Sequence, residues 1–74
     1  SLVDMAARKL QAVLKEKVGF DEERKELLYT YGCLLEKMGK TEESMDQFKS
    51  IYEVDVSYSD VAARVDAYYA SQGG

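Results

Sequence analysis

The chain has no proline, no tryptophan and no histidine, and its only cysteine is Cys33. Each absence removes a class of explanation. Without proline, no helix interior is broken by a ring that lacks an N–H. Without histidine, the usual general base and the commonest metal ligand are both missing. One cysteine can build neither an internal disulfide nor a Cys/His zinc site, so no cofactor or metal is expected and a reducing, cytoplasmic setting suits the thiol. No apolar run approaches the roughly 18 residues of a membrane span, and no basic-then-apolar leader is present, so no membrane partner is expected. Basic residues are also short, 10 against 14 acidic ones, for a net charge of −4. That balance disfavours nucleic acid, whose binding depends on Lys and Arg neutralising phosphates. Arg8, Lys9, Lys15 and Lys17 cluster weakly at helical spacing among apolar residues and read as a solvated helix face.

What remains is 46% hydrophobic and 32% charged over 74 residues, the balance of one small folded helical domain with a core near the minimum that folds unaided. The opening SLVD enters helical pattern at once, and the expectation is of a segment of a longer protein.

Four helical segments and no strand are expected. In the first, Val3, Ala6, Leu10, Val13 and Leu14 recur at helical spacing, and Gly19 ends it. The second opens with Asp21, Glu22 and Glu23 at the positive end of the helix dipole, with Asp21 spaced to pair with Lys25. Leu27, Leu28, Tyr31, Leu34, Leu35 and Met38 then form an apolar face broad enough to meet neighbours on two sides, until Gly39 supplies a left-handed C-cap. Thr41 is placed to cap the third helix, which buries Met45, Phe48, Ile51 and Tyr52. The short turn between these two forces an antiparallel αα-hairpin. After VDVSYSD, with Ser57 or Ser59 as cap, the fourth helix turns Val61, Ala62, Val65, Tyr68 and Tyr69 inward and pairs Asp60 with Arg64.

A hairpin that belongs to a repeat should show its pattern again at a fixed offset, and moving about 34 residues from Leu28, Tyr31 and Leu35 reaches Ala62, Val65 and Tyr69. Within one unit, the order Leu28, Tyr31-Gly32, Leu35, Gly39, Ser44, Phe48, Ile51, Val56 resembles the tetratricopeptide (TPR) signature. It departs from that signature at Leu28 and Leu35, where an aromatic is usual, at the larger Ile51, and at Val56 in place of the closing proline. The full unit runs over about 25–58, with half-units on both sides. Ala6, Leu10, Val13 and Leu14 match the spacing of Ser44, Phe48, Ile51 and Tyr52, at an offset that places extra chain in Gly19 to Glu22. Gly32 in mid-helix costs about 1 kcal/mol against alanine, tolerable where a facing helix comes too close for a side chain. The small Ser44 answers it, and Phe48 fills the space towards the next layer.

The resemblance implies an all-α array of about four helices, stacked right-handed, whose first helices line a concave groove. The matching groove positions are Glu26, Tyr29, Cys33 and Glu36 on the second helix and Ala63, Ala67 and Ala70 on the fourth. The Lys/Asn/Arg clamp by which some family members hold a partner's terminal carboxylate is absent, so a peptide or helix with apolar anchors and some basic character is the expected ligand. Other signals have plainer readings. Asp55 to Asp66 spaces oxygen side chains like a calcium loop but has Asp60 where glycine is required. Cys33 lacks a neighbouring base, Glu42 and Glu43 diverge around their helix, and no convergent polar cluster suggests an enzyme. The tyrosines read as core or helix-edge packing, with Tyr29 and Tyr68 less easily placed. The function expected is a non-catalytic interaction or scaffold module for another protein or peptide. The alternatives are a homodimerising helical bundle that covers its exposed repeat faces with a second copy, or a structural segment of a longer solenoid.

Overall fold

The computed structural model is all-α and describes residues 1–16, 19 and 21–73, with four helices and no strand among them: α1 (Leu2–Glu16), α2 (Glu22–Lys37), α3 (Thr41–Val54) and α4 (Val61–Gly73). Lys17 of the basic cluster, and Phe20 in the stretch expected to carry extra chain, lie outside the described residues. Gly19 has the left-handed φ of 88°, three residues beyond the end of α1.

The helices pack in chain order, α1 on α2, α2 on α3 and α3 on α4, while α2 and α4 meet through side chains only. α2 is therefore covered on two sides, as its broad apolar face requires, and Leu28, Tyr31, Gly32 and Leu35 are buried along it. α3 opposes them with Ser44, Met45, Phe48 and Ile51. Phe48 and Ile51 are fully enclosed. Of the repeat-like set, Leu28, Tyr31, Gly32, Leu35, Ser44, Phe48 and Ile51 are thus internal, whereas Gly39 makes the turn at φ 79° and Val56, beyond α3, is exposed.

That turn is made without a spare residue. The Lys40 N–H donates to Leu35 O (2.9 Å) and the Gly39 N–H to Glu36 O (3.0 Å), a Schellman closure that needs glycine's freedom at the left-handed position. Lys40 is at the same time the N-cap of α3 and makes no side-chain cap bond. The cap expected of Thr41 is therefore displaced: Thr41 is already the first helical residue, because the closure of α2 uses the chain before it.

At the start of α2 the N-cap is Asp21, whose Oδ1 accepts from the Arg24 N–H at 2.9 Å. Asp21 does not pair with Lys25, which turns instead to Glu22 (2.6 Å) and, across the fold, to Asp55 (2.9 Å). The expected serine caps of α4 are also not formed. Ser57 donates through Oγ and N–H to Asp55 Oδ1 (2.8 and 3.3 Å), an Asx-type turn, and Ser59 takes a left-handed φ of 45°.

The end helices bury less than their periodicity suggests. In α1 the inward residues are Ala7 and Leu14 with half-buried Val3 and Leu10; Ala6 lies at the edge and Val13 is exposed. Tyr52 on α3 and Tyr69 on α4 are exposed as well, whereas Val61 and Val65 are buried. The offset from Tyr31 thus reaches a buried Val65, but that from Leu35 reaches an outward Tyr69. Leu35 sits between two helices, while α4 has only α3 to pack on.

Candidate functional site

The side chains that join α2 to α4 converge on Arg64. One turn into α4, its Nε donates to Asp60 Oδ1 at 3.1 Å, and its Nη1 donates to both Glu36 oxygens at 3.1 and 3.3 Å. Its guanidinium lies 4.9 Å from the Phe48 ring centroid and 5.5 Å from that of Tyr29. Asp60 also accepts a 2.5 Å hydrogen bond from the Tyr29 hydroxyl. Tyr29 in turn packs edge-on to Phe48 at 5.4 Å and tilted against Tyr58 at 6.1 Å.

The arrangement is electrostatically self-consistent. The Tyr29 hydrogen bond and then Arg64 hold the Asp60 carboxyl below its ordinary value, against the opposing effect of burial. Burial disfavours the charge on Arg64, but the Tyr29 hydroxyl, Asp60 and Glu36 outweigh it and raise the guanidinium further above its usual range. Cation over ring face adds about 0.5–1 kcal/mol at exposed sites and about 2 kcal/mol when desolvated, and the Arg64 side chain, 27% exposed, lies between these cases.

A second cluster pins the loop before α4. The Lys25 ammonium, on a side chain 11% exposed, bridges Glu22 and Asp55 and sits 5.8 Å from the Tyr58 centroid. Its hydrogen bonds to Glu22 and then Asp55 raise its pKa, while Lys25 and then Ser57 lower that of Asp55. The Tyr58 hydroxyl is pushed up by burial, then by Glu26 and Glu22. Asp55 and Asp60 of the calcium-like spacing are thus both ion-paired within the fold.

The seven groove positions fare unequally. Tyr29 is half-buried inside the lattice, and Glu36 is exposed but ion-paired. Cys33 is a half-buried free thiol, and Glu26 is exposed. Ala67 lines a groove of about 290 Å³ with Glu36, Arg64, Met45 and Tyr68. Ala63 and Ala70 are exposed on the same flank of α4 without lining it. Of the alanine row, Ala67 is therefore the residue that shares a groove with Glu36 of α2. Arg64 and Asp60 are what sequence reasoning missed as parts of this face; the signal was their i,i+4 spacing, read as local helix pairing.

The chain matches no model of a known protein family, no curated protein and no solved structure.

Proposed function

We propose that this is a non-catalytic helical-repeat module of tetratricopeptide type that takes a peptide or helix of another protein on the face shared by α2 and α4. The observation that carries the reading is the Arg64 lattice, which braces α4 against α2 through Glu36, Asp60 and Tyr29 and leaves Glu26 and the alanine row exposed beside it. The Gly32, Ser44 and Phe48 interlock supports the repeat resemblance, since small residues on both helices bring the hairpin close and Phe48 reaches the next layer. A basic group of the ligand would compete with Arg64 for Glu36 and meet Glu26 unopposed, while alanines and Tyr29 accommodate apolar anchors. The reading is of a cytoplasmic protein with no membrane or nucleic-acid partner, in keeping with the net charge of −4; among the described residues no helix is long and apolar enough to cross a membrane.

A second reading, self-assembly, draws support from the exposed Leu2, Met5 and Tyr69, apolar surface that a second copy would cover. Light scattering across a wide concentration range, with thermal melting at each concentration, separates the two. A monomer throughout supports a free binding face. A dimer whose melting rises with concentration overturns that reading in favour of self-assembly.

A further inference from the structure

α1 and α3 both pack on α2 but not on each other, which leaves a trough between them. It comprises two adjoining grooves of about 320 and 550 Å³ that share Gln11, Tyr31 and Glu43. Leu35 lies beneath one groove and Leu28 beneath the other, both buried, so the surface the trough offers is mainly polar. α1 and α3 are 15 and 14 residues long, so the trough runs along walls of about 20 Å.

Its charge is opposite to that of the chain. Arg8, Lys15, Arg24 and Lys40 line it against Asp4 and Glu43, a formal +2 in a chain that totals −4. Among the described residues the side chains of Arg8, Lys15 and Lys40 make no ion pair or hydrogen bond, unlike Lys25 and Arg64, so their charge is available to a ligand. Tyr31, nine-tenths buried on the trough floor, donates to no acceptor among the described residues and is not sealed off, so its hydroxyl opens into the trough. Burial, then Glu43, raises its pKa and keeps it a donor.

We propose that the trough between α1 and α3 is a second docking surface, for an acidic peptide segment whose carboxylates meet Arg8, Lys15, Lys40 and the Tyr31 hydroxyl while its apolar residues lie against half-buried Met38. The partner is a protein segment of negative charge, and the site lies on the other side of α2 from the Arg64 lattice. It does not depend on the α2/α4 face binding anything.

The test is fluorescence anisotropy with a labelled peptide of about fourteen residues carrying leucine at every third or fourth position and glutamate elsewhere, beside a counterpart with lysine for each glutamate. The acidic peptide should bind at least about ten-fold more tightly, and should weaken by a similar factor when salt rises from about 50 to about 300 mM. Arg8→Glu with Lys15→Glu should weaken it about ten-fold, with unchanged circular dichroism because both residues are exposed and unpaired. Tyr31→Phe should weaken it a few-fold, whereas Glu26→Ala on the other face should leave it unchanged. The proposal fails if the lysine peptide binds as well, if the acidic peptide shows no binding up to about 1 mM, or if the double charge reversal has no effect. Equal retention on vesicles of anionic phospholipid would also overturn it, since the trough would then select negative surface and not a peptide.

Discussion

Phe48 lies against the bare backbone of Gly32: a Cβ added at Gly32 would stand 2.9 Å from both Cε1 and Cζ of the ring. Alanine in mid-helix would gain about 1 kcal/mol of propensity, but the ring is fully enclosed and cannot swing away. Overpacking a tight core costs about 1–3 kcal/mol. Gly32→Ala should therefore lower stability to urea by about 1 kcal/mol net, and less in a Phe48→Leu background where the contact is relieved. A more stable Gly32→Ala protein would show that the hairpin is not held by this approach.

Arg64 is planar and forked, and both properties are used, one by the carboxylates of Asp60 and Glu36 and the other by the rings of Phe48 and Tyr29. Arg64→Ala should cost about 1–2 kcal/mol through lost packing and lost hydrogen bonds to charged groups. Arg64→Lys should recover less than half of that, because an ammonium cannot serve two carboxylates and two ring faces in one pose. Equal melting temperatures for arginine and lysine would reduce the lattice to a simple charge pair.

Asp55 and Asp60 both titrate below the ordinary carboxylate value of 3.8, the first because of Lys25, the second because of Tyr29 and Arg64. Their folded pKa values lie below the unfolded ones, so the unfolded chain binds more protons in the interval between them and stability rises with pH there. The contribution is fully present above 3.8 and disappears as pH falls through the folded values. Melting followed from pH 6 down to about pH 2 should show this loss, and Asp55→Asn and Asp60→Asn should each flatten the acid limb. A wild-type acid limb reproduced by the double variant would assign acid sensitivity to other carboxylates.

The sequence made the middle of the fold legible and its ends less so. Leu28, Tyr31 and Leu35 in α2, and Ser44, Phe48 and Ile51 in α3, could be placed inside because these helices have neighbours enough to cover a broad stripe. Val13 and Tyr69 each stand one position from a buried partner, Leu14 or half-buried Tyr68, and adjacent residues point about 100° apart on a helix. Where one helix alone provides cover, only one of the two can be inside, and periodicity does not say which. The caps failed for a similar reason. Thr41 and Ser57 have suitable chemistry, but the Schellman closure at Gly39 and the turn at Asp55 had already fixed the backbone around them. Of the candidate face, Glu36 and Tyr29 were foreseen, while Arg64 was not, because a charge at helical spacing says nothing of a partner 28 residues away.

Lys40 ends one helix and begins the next, so the joint between α2 and α3 has no slack in either direction. Removing a residue would break the Schellman closure, and adding one would rotate α3 out of phase with the groove that receives Phe48. The hairpin is in effect a single bracket of fixed length. Whatever play exists between the bracket and α4 must then sit in the six residues from Asp55 to Asp60, and these are fastened at one end by Lys25 and at the other by Arg64. Beside the packing of buried Val61 and Val65 against α3, two ion pairs therefore hold the connection to α4. Salt and acid thereby act first on this connection, where the charges lie, and leave the bracket itself unchanged.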